Sequence, residues 1–236
     1  MILPGHPDLM SDDELGGWVL GLVSRETPES IFLDYKATVV TDSRNDRREI
    51  AKDVSSFANE RGGVVLYGIP QIEGGDEPIP VDIDHIGMNR VLGLCEVIEN
   101  VLVDVLAPRL PELRVREIPL PHLDNRVVYL VWHPESWEAP HMLHAYGEHR
   151  YYKRGNFRTV LMEEGEVERL YRRRQARRAL ATQFLGETDF AGSLFPRGEQ
   201  LTRIVVCPAF PFDDRVDFSQ QTMQDWVRHH YPEGSL

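Results

Sequence analysis

The forty residues from Glu29 to Gly68 constrain the fold more than any other stretch of this chain. They read ESIFLDYKATVVTDSRNDRREIAKDVSSFANERGGVVLYG. Ile31, Leu33 and Tyr35 alternate with Phe32, Asp34 and Lys36, the period of a half-buried strand. A polar loop over 41–46 supplies a helix start at Asn45 or Asp46. Ile50, Val54, Phe57 and Ala58 then form one stripe of a helix from about Arg47 to Glu60. Gly62 and Gly63 close that helix, one taking a left-handed conformation and the other turning the chain into a strand from Val64 to Ile69.

The remaining segments follow from the same periodicities. Ser11 with Glu14 is a capping box, and Leu15, Trp18, Val19, Leu22 and Val23 place a helix over 12–25. Residues 70–80, PQIEGGDEPIP, are a loop. Val91, Leu94, Cys95, Ile98, Leu102 and Val105 predict a helix over 88–106, ending before Pro108. Strands are expected at Leu113–Ile118, Val127–Trp132 and His149–Arg154, and a last long helix from about Glu163 to Phe184, with an inner stripe of Val167, Leu170, Tyr171, Leu180 and Phe184. This divides the chain into a domain over 1–185, a linker over 186–200 and a strand-helix extension over 201–236. A strand and one helix bury little alone, so the extension either adds to the main sheet or opens a further domain.

Composition excludes several classes. Ordinary hydrophobic and charged content, 42% and 27%, rules out a disordered or fibrous chain. Nowhere do about 18 apolar residues run together, and the N-terminus lacks a basic start, so the reading is a cytoplasmic protein with no membrane partner. Cys95 and Cys207 form no CxxC pair, and His133, His141 and His144 match no compact ligand spacing; zinc is not expected. The glycine pair lacks the spacing and the following Lys-Ser/Thr of a phosphate-binding loop. Net charge is −12, but ten Lys/Arg against four Glu lie between Arg150 and Arg178. That local excess makes Arg150, Lys153, Arg154, Arg158, Arg172, Arg173, Arg174 and Arg177 a candidate nucleic-acid-binding face, with Tyr151 and Tyr152 interleaved as stacking groups. Strand alternation should bury one of the two tyrosines.

Asp34 and Lys36, two residues apart on a strand, project from one face, where a carboxylate can hold a metal and an ammonium can stabilise phosphate. Glu29 joins them only if the chain bends before the strand, because five residues of regular strand would put it on the opposite face.

The order Glu29-Ser30-x-x-x-Asp34-x-Lys36, then Ser56-Phe57-Ala58-Asn59-x-x-Gly62-Gly63, then Tyr67-Gly68-Ile69, resembles the Schlafen AlbA-type DNA-binding domain. Pro140-His141, Tyr151-Tyr152-Lys153-Arg154-Gly155-Asn156 and the helix from Glu163 to Arg173 extend the resemblance over about 12–175. It implies an α+β domain, a mixed β-sheet flanked by helices, that binds RNA or DNA mainly through backbone charge. Some members of that family are metal-dependent ribonucleases of transfer and ribosomal RNA. Their catalytic set is three acids, which implies Glu29 and Asp34 as catalytic residues holding Mg²⁺ or Mn²⁺; Lys36 joins them as the phosphate or water partner. The third acidic position falls on Gln71, a neutral amide, with Glu73 or Asp76 as substitutes from the neighbouring loop. A catalytically inactive sensor or assembly module is the third reading. Because vertebrate members join two such lobes around one groove, a homodimer is expected.

Overall fold

The computed structural model describes residues 3–72, 78–145 and 147–187, with the side chains of 181 and 183–187 excepted. Two compact units divide at Arg174, within the last helix. The second begins at Gln175, and the described part of it is helical to Glu187. The rest of the expected linker beyond Glu187, the extension, Cys207 and the Phe184 side chain lie outside the described residues.

The elements run α1 (Asp12–Ser24), β1 (Leu33–Lys36), α2 (Arg44–Ala58), β2 (Gly62–Tyr67), β3 (Gln71–Ile72), β4 (Ile79–Pro80), α3 (Leu94–Val105), β5 (Leu106–Ala107), β6 (Arg114–Leu120), β7 (Arg126–Pro134), β8 (Met142–Leu143), β9 (Arg150–Arg154) and β10 (Thr159–Leu161), all in the first unit, and α4 (Glu164–Glu187), which the two units share. One sheet has the order β1-β2-β7-β6, parallel between β1 and β2 and antiparallel elsewhere. A second, antiparallel sheet has the order β10-β9-β8-β5, and β3 pairs with β4 as a small hairpin. The class is α+β, as expected.

Side-chain alternation gives the first sheet two apolar faces. Leu33, Tyr35, Val64, Leu66, Val128 and Leu130 face α1, which buries Leu15, Val19, Leu22 and Val23 against them. Val65, Tyr67, Val127, Tyr129 and Val131 face α2 and α3 through Ile50, Val54, Phe57, Ile98 and Leu102. α2 also packs on the second sheet. Asn59, its C-cap, fixes that junction: its Nδ2 donates to the carbonyls of His141 and Tyr152, and its Oδ1 accepts from the His141 N–H. A buried amide with these partners cannot be replaced without leaving backbone groups unsatisfied.

Several local expectations shift. The Ser11–Glu14 capping box opens α1 at the expected place, but α2 begins three residues early, because Ser43 and Asp46 form a second capping box. Gly62 has φ +76°, as a helix-closing glycine would, yet both glycines are strand residues of β2. Close approach explains the second: a Cβ on Gly63 would lie 2.3 Å from the Phe57 ring. The helix expected over 88–106 starts at Leu94, because Met88 is held in extended pairing with Val127. The 70–80 loop contains β3 and β4, while Glu73 and Asp76 lie outside the described residues. The strand expected from Ile31 starts at Leu33, since Ser30 and Leu33 hydrogen-bond to each other through both backbone groups and fold the chain back.

Candidate functional site

That fold-back is the bend on which Glu29 depends. It returns the Glu29 carboxyl to β1, where Oε1 accepts from the Tyr35 N–H at 2.9 Å and from the Gln71 side-chain amide. Asp34 and Lys36 project from the α2-facing side of β1. This strand is the sheet edge, so that side is open at one end to a cavity of about 570 Å³. Glu29, Asp34 and Lys36 all line the cavity, and so do Arg154, Arg158 and Thr159 from the β9–β10 hairpin. Among the sequence-derived candidates, Glu29, Asp34, Lys36, Arg154 and Arg158 therefore converge.

Arg154 is the unexpected centre of this cluster. Its Nη2 donates to Asp34 Oδ1 at 3.0 Å and to Glu29 Oε2 at 3.2 Å, and its guanidinium lies 5.0 Å from the Phe57 ring centroid. It is 5% exposed, so it is an internal counter-ion and not part of an outward basic face. Lys36 Nζ lies 2.7 Å from Asp34 Oδ2 and 3.7 Å from Asp53 Oδ2. Sequence reasoning missed Asp53. Its signal was an acid at position i+3 from Ile50 and i−4 from Phe57, on the inward stripe of α2, where a buried carboxylate needs a partner. Lys36 supplies one, and Thr159 donates to its Oδ1 at 3.1 Å.

The electrostatics follow from burial in this mixed cluster. Burial, together with the neighbouring Asp34 carboxylate, pushes Glu29 up to about 7 despite the donors from Tyr35 and Arg154. Burial also acts on Asp34, but the proton shared from Glu29, with Lys36 and Arg154, holds Asp34 below the usual carboxylate range. Asp53 is raised by burial, against the opposing pull of Lys36. Burial weakens Lys36 as an acceptor of charge, yet Asp53 and Asp34 outweigh it and keep the ammonium protonated. One proton between Glu29 and Asp34 therefore leaves the cluster close to neutral.

As folded, the acids of the cluster are engaged by protein cations. A hard divalent cation needs several oxygens arranged around it, whereas a guanidinium already bridges Glu29 and Asp34. Gln71 turns its N–H₂ and not its oxygen toward Glu29. Among the described residues no three acidic, histidine or cysteine groups gather to hold a metal ion.

The other basic candidates separate. Lys153 pairs with Glu166, Arg173 with Glu135 and Arg174 with Glu138, Arg174 also lying 4.8 Å from the Tyr171 ring centroid. Arg172 pairs with Glu168 on the solvent side of α4, and Arg150 lies 3.8 Å from Glu148. Arg177 belongs to the second unit. Of these basic candidates, Arg158 alone is both exposed and without an ion pair among the described residues. Of the two tyrosines, Tyr152 is buried and donates to Glu148, while Tyr151 is half-buried against Tyr171.

A family model described as Schlafen, AlbA_2 matches residues 29–163, more than half of the chain. The chain belongs to the Schlafen AlbA_2 family. Its matched span opens at Glu29 and includes the fold-back, the Ser43 capping box that opens α2 and the whole β9–β10 hairpin. A solved structure is similar at a TM-score of 0.42 and 13% identity, over 63% of this chain and 90% of that one. It is the solution structure of the N-terminal domain of a RecG-related ATP-dependent DNA helicase protein from Nitrosomonas europaea. No curated protein matches the sequence.

Proposed function

We propose that this Schlafen AlbA_2 chain binds RNA or DNA, taking hold of the phosphate backbone through exposed cations while the buried acid–arginine cluster serves as scaffold. The observation that carries this reading is Arg158, an exposed guanidinium without an ion pair among the described residues, beside a cavity built by the family's matched segments. An Arg at such a place offers five N–H donors to a phosphate with little competition from a protein carboxylate. Arg150 and Arg172 add exposed cations whose surface ion pairs are weak enough to exchange for phosphate.

Salt dependence tests this reading. Three cations releasing counterions correspond to a slope of log affinity against log salt of roughly −2 to −3. Fluorescence anisotropy with labelled single-stranded, duplex and structured oligonucleotides measures it. An affinity indifferent to salt overturns the proposal.

A second reading, divalent-ion-dependent cleavage of structured RNA such as transfer or ribosomal RNA, draws on the Asp34–Lys36–Asp53 arrangement beside the cavity. Incubating those RNAs with Mn²⁺ decides it. Cleavage by the natural chain that Asp34→Asn abolishes would establish an enzyme; binding by both, with intact RNA, establishes the module.

A further inference from the structure

The floor of the cavity holds a polar group with nothing to bond. Tyr67 is 3% exposed, and among the described residues its hydroxyl has no hydrogen-bond partner. Tyr67 stands in register with Lys36 across the parallel β1–β2 pair, so both side chains share the face that opens into the cavity. Beside it Asp34 Oδ2 is buried and held by the Lys36 ammonium at 2.7 Å. A buried hydroxyl without a partner among the described residues, beside a cavity of about 570 Å³, marks a place for a ligand, since folded proteins rarely bury such groups unpaired.

Charge decides what kind of ligand. Asp34 and Asp53 repel a bare phosphate from the floor, and Lys36 with Arg154 repels a free cation. A neutral ring carrying both donors and acceptors suits this alternation. The mouth differs from the floor. Phe157 is 40% exposed there and Val40 is 46% exposed, apolar surface available for a flat ring, with Arg158 next to Phe157 in the chain. An aromatic side chain beside a free guanidinium is the pairing that stacks a base and holds its phosphate.

We propose that this cavity receives one unpaired nucleotide of a strand: the base enters toward Tyr67 and Asp53, stacking on Phe157, and its phosphate rests on Arg158. The Tyr67 hydroxyl donates to a ring nitrogen or carbonyl, and Asp53 accepts from an exocyclic amino group, as carboxylates do from cytosine. This rests on the nucleic-acid reading above and narrows it to single strands, loops and unpaired ends. Duplexes present no free base to the cavity.

Calorimetry with AMP, CMP, GMP and UMP as probes, and anisotropy with a short labelled oligonucleotide as single strand and as duplex, tests the natural chain beside Tyr67→Phe, Phe157→Ala and Arg158→Ala. The single strand is expected to bind more tightly than the duplex, and an amino-bearing mononucleotide more tightly than UMP. Phe157→Ala and Tyr67→Phe should each weaken binding about tenfold. Tyr67→Phe should also raise the melting temperature of the free chain by about 2 to 4 °C, because it removes only an unsatisfied buried hydroxyl. Strand binding untouched by either variant overturns the nucleotide site and leaves the nucleic-acid reading standing. Mononucleotide binding that a strand does not improve overturns the assignment to strands and gives the cavity to free nucleotides. Absence of both kinds of binding overturns both proposals.

Discussion

Replacing Glu29 with Gln separates a protonated, desolvated carboxyl from an ordinary ion-pair partner. Glu29 is 5% exposed, and its carboxyl is pushed from 4.5 to about 7 by burial and the adjacent Asp34. In the unfolded chain it titrates near its ordinary value, so between those limits the folded state binds more protons. Its contribution to stability is then complete below about pH 4.5 and is lost as pH rises through about 7. At about 1.4 kcal/mol per pH unit, that interval corresponds to about 3 kcal/mol. Gln keeps the neutral shape at every pH. Urea unfolding of both proteins across pH 4 to 8, as an approximate working range, should give a difference curve that is flat in acid and rises by about 3 kcal/mol in favour of the variant above neutrality. The difference is needed because burial holds His133 and His141 down to about 4, and these two slope the other way over the same range. A variant that gains nothing on the natural chain between acid and pH 8 would refute the argument, since Arg154 would then hold the ionised Glu29 at no net cost.

Two more perturbations probe the same architecture. Arg154→Met should cost about 3 to 5 kcal/mol at pH 8, because it strands buried carboxylate charge, and less at pH 5, where Glu29 is neutral; denaturant midpoints at the two pH values check this. Mn²⁺ should leave the melting temperature of the natural chain unchanged and raise that of Arg154→Met, whose vacated guanidinium position lies between two carboxyls; stabilisation of the natural chain by Mn²⁺ would count against Arg154 as the resident cation. Gly63→Ala should destabilise by about 1 to 3 kcal/mol, because its Cβ meets the Phe57 ring at 2.3 Å and the Phe32 carbonyl at 2.8 Å; thermal unfolding reads it directly.

Local signals in this chain are encoded by neighbours and were legible for that reason. The Ser11 capping box marks the start of α1 because the four residues involved settle the geometry among themselves. β7 and β9 were recognisable because alternation or an apolar run of five residues or more reports burial. β5, β8 and β10 have two or three residues each and carry no period to detect. The capping box of Ser43 and Asp46 was also present in sequence, but the polar run around it masked the boundary.

Glu29 through Lys36 was recognisable as the chemical centre from its acids and lysine, and the family match begins at the same residue. What surrounds that centre came only from tertiary structure. Arg154, 120 residues from Asp34, reads in sequence as one more cation of a basic run. Folding carries it inside because β9 crosses α2 and needs a cation opposite two carboxyls that burial would otherwise neutralise. Asp53 reads as a polar interruption of a helical stripe until α2 is laid over the edge of the sheet. Residue type and spacing set which local elements form. The charge state of Glu29, the partner of Asp34 and the orphaned hydroxyl of Tyr67 depend on distance and water exclusion, which no local pattern specifies.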